Sequence, residues 1–132
     1  MLGIWGTHSG LFLVLLGIVM LLAFGIPMAL WPLRWARVLR WQLPTHTDLA
    51  VYFGRSLGSV ATVIGVFSFV AAADTMVRPF YFGFLLACWV LMVLVHLYGA
   101  IRRIQPLSES CELPFWGGLV ILTLLCWPVV PV

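Results

Sequence analysis

The chain has no lysine and no asparagine, four acidic residues, and only 8% charged residues in a length of 132. Soluble domains carry about 25% charge, so a soluble globular domain is excluded. A disordered chain is excluded too, because disorder needs low hydrophobicity and high net charge. A nucleic-acid-binding domain is excluded for want of a dense cationic patch. Cysteine is scarce: Cys88, Cys111 and Cys126 form no CxxC or other metal-ligand spacing, and so few, in odd number, build no disulfide framework. Cys88 and Cys126 lie inside apolar runs, as reduced structural cysteines do. What the chain has in excess is apolar surface, with 64% hydrophobic residues and a mean hydropathy of +1.15. This is the composition of an integral membrane protein whose first partner is the lipid bilayer.

A membrane-crossing helix needs about 20 mostly apolar residues. Four runs meet or approach that requirement: 9–31, 49–73, 79–101 and 114–131. The connectors between them are too short to hold a soluble domain. Open strands leave backbone polar groups unsatisfied in lipid, so the spans are helices. The expected architecture is all-α, a four-helix bundle forming one transmembrane domain over 1–132. The first run has no basic flank before it and no small-residue cleavage site, so it reads as a retained span rather than a signal peptide.

Arginine placement sets the expected orientation. Arg34, Arg37 and Arg40 lie in the first connector, Arg102 and Arg103 in the third, and only Arg78 on the opposite side. The positive-inside rule puts the two basic connectors in the cytoplasm and both termini outside, in a bacterial inner membrane. Within the first connector the arginines recur at every third position, flanked by Trp35 and Trp41. That pattern fits either a short interfacial helix, with arginines on lipid phosphates and tryptophans at headgroup depth, or a basic loop with aromatic anchors. Trp89, Trp116, Trp127 and several phenylalanines of the last two spans read as aromatic belts.

Two features inside the spans carry chemical interest. Gly54 and Gly58 form a GxxxG pair continued by Gly65. Small residues at this spacing let helices approach closely, within the bundle or against a partner. Beside them stands Arg55, about 9 Å inside the second span at the helical rise of 1.5 Å per residue. His96, in the third span, has a similar depth, and a short turn joins the two helices. A polar cluster of Arg55, His96 and Glu112, with Tyr52 in the same layer, is therefore geometrically possible. Intramembrane ionisable groups are functional candidates by default, although a hydrogen-bond network that only fixes the bundle has the same appearance.

Several chemistries lack their residues. Two facing histidines for haem are missing, since only His96 lies well inside a span. A zinc site needs three or four clustered ligands, and His8, His46 and His96 are dispersed. No cysteine pair is spaced for thiol oxidation, and no phosphate-binding or dinucleotide motif is present. Ser56 or Ser59 with His96 supplies the residue types of a hydrolase and nothing more. No catalytic residue, metal or cofactor is therefore expected.

The segment Phe53-Gly54-Arg55-Ser56-Leu57-Gly58, in a chain of this length, hydropathy and loop size, resembles the small four-helix bacterial membrane proteins grouped around the DoxX family. In those proteins a similar Arg…Leu-Gly element lies in a span; here it falls in the second. The resemblance implies a four-helix bundle and an accessory-subunit role, since some members serve membrane oxidoreductases. The expected function is a non-enzymatic accessory or assembly subunit with a membrane-protein partner or a second copy. The alternatives are a small oligomeric carrier or channel for an anionic solute, using Arg55 and His96, and a quinone- or lipid-binding enzyme subunit.

Overall fold

A computed structural model describes residues 2–129; their regular structure is all helical, with no strand among them. The helices are α1 (Gly6–Leu30), α2 (Pro32–Val38), α3 (Asp48–Ala73), α4 (Arg78–Arg102), α5 (Leu107–Ser110) and α6 (Leu113–Leu125). By length and composition α1, α3 and α4 can each cross a membrane. At 1.5 Å per residue they extend about 38 Å, against a hydrocarbon core of about 30 Å. The fourth apolar run is shorter as a helix. Pro114 stands in its first turn and the helix ends at Cys126, two residues before Pro128. Its 13 residues extend only about 20 Å. The expected end of that span, at Pro131, lies outside the described residues. The chain divides into two compact units, one made of Leu13–Val70, the other of residues 2–12 with 71–129.

In the unit Leu13–Val70, α1 and α3 pack along a line of small residues. A Cβ on Gly58 would collide with the backbone of Ala29 and Met28, and one on Gly25 would lie 2.6 Å from Oγ1 of Thr62. Contact this close is the main source of helix association in lipid, where no hydrophobic drive exists. Within α1 the stretch Met20–Gly25 is wound as a π-helix. Pro27 follows, and having no N–H it cannot bond the carbonyl of Ala23 four residues earlier. The indole N–H of Trp35 in α2 donates to that carbonyl at 2.8 Å. The first connector is thus a true short helix. Pro32 starts it, and Arg40 ends it in the left-handed conformation (φ 62°). The N–H of Trp41 bonds Ala36 O, closing the Schellman pattern of helix ends.

In the other unit, α4 packs on α6. Phe82, Leu85, Trp89 and His96 form the inner stripe of α4 at helical spacing, and Trp116, Leu119 and Thr123 are buried on α6. The Trp89 and Trp116 rings lie 5.6 Å apart, and Phe82 lies between Phe12 and Trp127 at 5.7 and 5.9 Å. Trp89 and Trp116, expected in an aromatic belt, are core residues at 1% and 3% exposure. Both stand seven residues from other inward positions, Trp89 from Phe82 and His96 and Trp116 from Thr123, and Trp89 lies at the middle of α4, away from any belt. The first residues of the chain also have a fixed place. The N–H groups of Gly3 and Trp5 bond the carbonyls of Leu124 and Leu125 at 2.9 and 2.8 Å. They satisfy the last turn of α6, which the helix cannot satisfy for itself. Gly3 has φ +72°, and a Cβ there would meet Trp127 O at 2.9 Å.

Candidate functional site

At the C-terminal end of α4 the chain folds back on itself. Arg103 takes the left-handed conformation (φ 54°), and Ile104 N bonds Gly99 O. Gln105 then turns under the helix end. Its Nε2 donates to the carbonyl of His96 at 3.1 Å and to Oγ of Ser110 at 3.2 Å. This is possible because residue 99 is glycine: a Cβ there would occupy the place of the Gln105 amide oxygen. Pro106 begins α5, and the connector returns toward His96 carrying Glu109 and Glu112.

His96 is 5% exposed. Its Nδ1 lies 2.8 Å from the carbonyl of Met92, an acceptor only, so Nδ1 carries a proton. In the neutral ring Nε2 is then the free base. Three groups converge on it: Glu109 Oε2 at 3.3 Å, Glu112 Oε2 at 3.7 Å and the indole N–H of Trp116 at 3.2 Å. The same N–H lies 3.3 Å from Glu112 Oε2. Ligand atoms of His96, Glu109 and Glu112 all stand within 4.8 Å of one another. Burial pushes the Glu112 carboxyl above the usual carboxylate range, and the neighbouring Glu109 raises it further; the Trp116 hydrogen bond and His96 oppose the shift. Next to this group, Nε1 of Trp89 is buried without a hydrogen-bond partner.

The structure thus brings His96 and Glu112 together and adds Glu109, Trp116 and Gln105. Arg55 and Tyr52 belong to the other unit, and there they line a shallow groove along α3 with Asp48, Val51, Ser56 and Ser59. Asp48, Tyr52, Arg55, Ser56 and Ser59 are all exposed. Gly54, Gly58 and Gly65 point elsewhere: a Cβ on each would meet Pro32, Ala29 and Leu21 respectively. The small-residue face is therefore occupied by packing inside its own unit, and Arg55 stands outside that face. Arg34 and Arg37 are exposed on α2, as are Arg102 and Arg103 at the end of α4. Trp41 is exposed, while Trp35 is drawn inward onto Ala23.

The sequence did carry a signal for part of the cluster. Glu112 and Trp116 are four residues apart at the start of a helix, where side chains meet. Counting dispersed histidines concealed the other part, because two of the three potential ligands are glutamates from a connector. Comparison with protein-family models, with curated proteins and with solved structures finds no match to this chain.

Proposed function

We propose that the protein is a non-enzymatic, four-helix inner-membrane protein that serves as an accessory or assembly subunit of a larger membrane complex. The observation that carries this reading is the exposed polar edge of α3, Asp48–Tyr52–Arg55–Ser59, on a helix long and apolar enough to cross a membrane. Charged side chains in spans almost always face a bundle interior or a watery cavity, because an arginine at the bilayer centre costs about 2.5–3.5 kcal/mol on insertion scales and less near the surface. Within its own unit Arg55 faces neither, since the glycine face of α3 is the one that packs. Ser59 bonds its own helix, at Arg55 O, which leaves the guanidinium and the Tyr52 hydroxyl as the groups a neighbour would recognise. A membrane helix bearing a carboxylate fits them. The basic connectors support cytoplasmic placement of this end, and the likeness to DoxX-group proteins supports the accessory role.

Native mass spectrometry of the protein purified in mild detergent tests the reading, with Arg55→Leu as the variant. A different protein bound in stoichiometric amount to the wild type and lost from the variant is the expected result. A homo-oligomer retaining a small anion transfers the edge to transport. A monomer in both cases removes the proposal.

A further inference from the structure

We propose that His96, Glu109 and Glu112 form a site for one divalent first-row transition-metal ion, with zinc as the reference ion. The proposal does not depend on the accessory-subunit reading. Its first support is distance. A tetrahedral zinc with Zn–N and Zn–O bonds of about 2.0–2.2 Å places its ligand atoms about 3.3–3.5 Å apart. Nε2 of His96 stands 3.3 and 3.7 Å from the two carboxylate oxygens, so these contacts already have the length of tetrahedral edges. All three groups fall within 4.8 Å, and a small rotation of one carboxylate closes the set.

The second support is independent of the carboxylates. Metal-binding histidines almost always donate their other ring N–H to a carbonyl or carboxylate, which fixes the tautomer and aims the lone pair. His96 does this at Met92 O, and it presents Nε2 to the glutamates. Trp116 completes the outer layer: its N–H reaches Glu112 Oε2 at 3.3 Å and keeps that partner when an ion takes the Nε2 lone pair. The connector is held by Gln105 on both His96 O and Ser110, so the glutamates sit on a fixed turn.

Donor chemistry selects the ion. Calcium and magnesium take oxygen ligands, whereas an imidazole nitrogen suits zinc, iron, nickel or copper. Two carboxylates balance a divalent charge. The glutamate side chains are 12% and 20% exposed against 7% for His96, so the ion arrives from the connector side and the fourth position remains for water.

The test uses the full chain in detergent, free of any histidine tag and stripped with a chelator. Calorimetric titration with Zn²⁺ is expected to give one ion per chain, and Co²⁺ to give the visible absorption of a four-coordinate site. Glu109→Gln and Glu112→Gln are each expected to weaken binding by at least about tenfold, and Trp116→Phe by about 10–100-fold, the usual effect of an outer-layer partner. Histidine-ring ¹⁵N NMR of the unaltered chain identifies the liganded nitrogen without any variant, and it should report Nε2 of a single histidine. Absence of saturable binding up to about 1 mM Zn²⁺, a dissociation constant worth only about 4 kcal/mol, overturns the proposal. So does binding that the double glutamate variant leaves intact, which would place the ion on His8 or His46.

Discussion

Trp116 donates its indole N–H to Nε2 of His96 across 3.2 Å. Because Nδ1 of the same ring is committed to Met92 O, the ring has one orientation and one neutral tautomer. The tryptophan is shared with Glu112, so α4, α6 and the connector between them meet at a single donor.

This arrangement gives stability a defined pH dependence. The Glu112 carboxyl is raised by burial and then by Glu109. Between the ordinary carboxylate value and the raised one, the folded protein holds a proton that the unfolded chain has released. Stability therefore falls as pH rises through that window and returns on acidification. In chelator-treated protein, the thermal midpoint of the wild type should decline across this window more steeply than that of Glu112→Gln. Parallel curves would show that Glu112 titrates alike in both states.

Gly99 makes room for Gln105, which in turn holds the connector. Gly99→Ala should expel the Gln105 amide from beneath α4 and break its bonds to His96 O and Ser110. A helix-interior alanine by itself gains about 1 kcal/mol over glycine, so a simple helix effect would raise the thermal midpoint. The expected outcome is the reverse, a lower midpoint with faster amide exchange in residues 105–112. If Gln105→Ala alone has no effect on that exchange, the amide is not what fixes the turn.

Pro27 and Trp35 form a compensating pair. The proline has no N–H to offer the Ala23 carbonyl four residues earlier, and the indole donates to that carbonyl at 2.8 Å. Trp35→Phe keeps an aromatic ring against Phe24 and deletes the donor; the two rings are now 6.0 Å apart. An unsatisfied carbonyl costs about 1–3 kcal/mol, and the variant should lose stability of that order. In the Pro27→Ala background the backbone N–H is restored, so the same substitution should cost much less. A double-mutant cycle measures the difference, and a coupling near zero contradicts the exchange of donors.

Hydropathy and arginine spacing were enough to place α1, α3 and α4 and to suggest the helical first connector. These signals are local and periodic, and a membrane-length apolar run admits one regular solution. The length of α6 was less legible, since Leu113 to Pro131 is apolar apart from Thr123. The carbonyls of its last turn are capped by Gly3 and Trp5, from the far end of the chain, a partnership no local pattern shows. At the site, the depth of His96 pointed to Glu112, and the fold agrees on that pair. Depth could not reveal that α4 and α6 bury Trp116 between the two residues. Nor could it show which face of α3 packs within its own unit: that face carries Gly58, set against Ala29, and Arg55 is exposed on another.

Arg78 shows how an apparent topology signal can have structural work instead. It stands alone on its side of the membrane in the orientation argument, yet its guanidinium is engaged at the end of α3. Nε bonds Ala71 O at 3.0 Å, Nη2 bonds Ala72 O at 2.5 Å and Nη1 bonds Ser9 Oγ at 3.2 Å. A cation at a helix C-terminus is stabilising by about 0.3–1 kcal/mol, and hydrogen bonds from a charged donor add about 1.5–3 kcal/mol each at best. Lysine preserves the charge and loses the planar fork. The thermal midpoint in detergent should therefore fall in the order wild type, Arg78→Lys, Arg78→Gln, with Ser9→Ala causing a smaller loss that adds little to Arg78→Lys. A reporter fused after Val132 should keep its side of the membrane in all of them, because the five arginines of the other connectors are unchanged. If Arg78→Lys matches the wild type in stability while the reporter inverts, the residue acts through charge on topology and the helix-end bonds contribute nothing measurable.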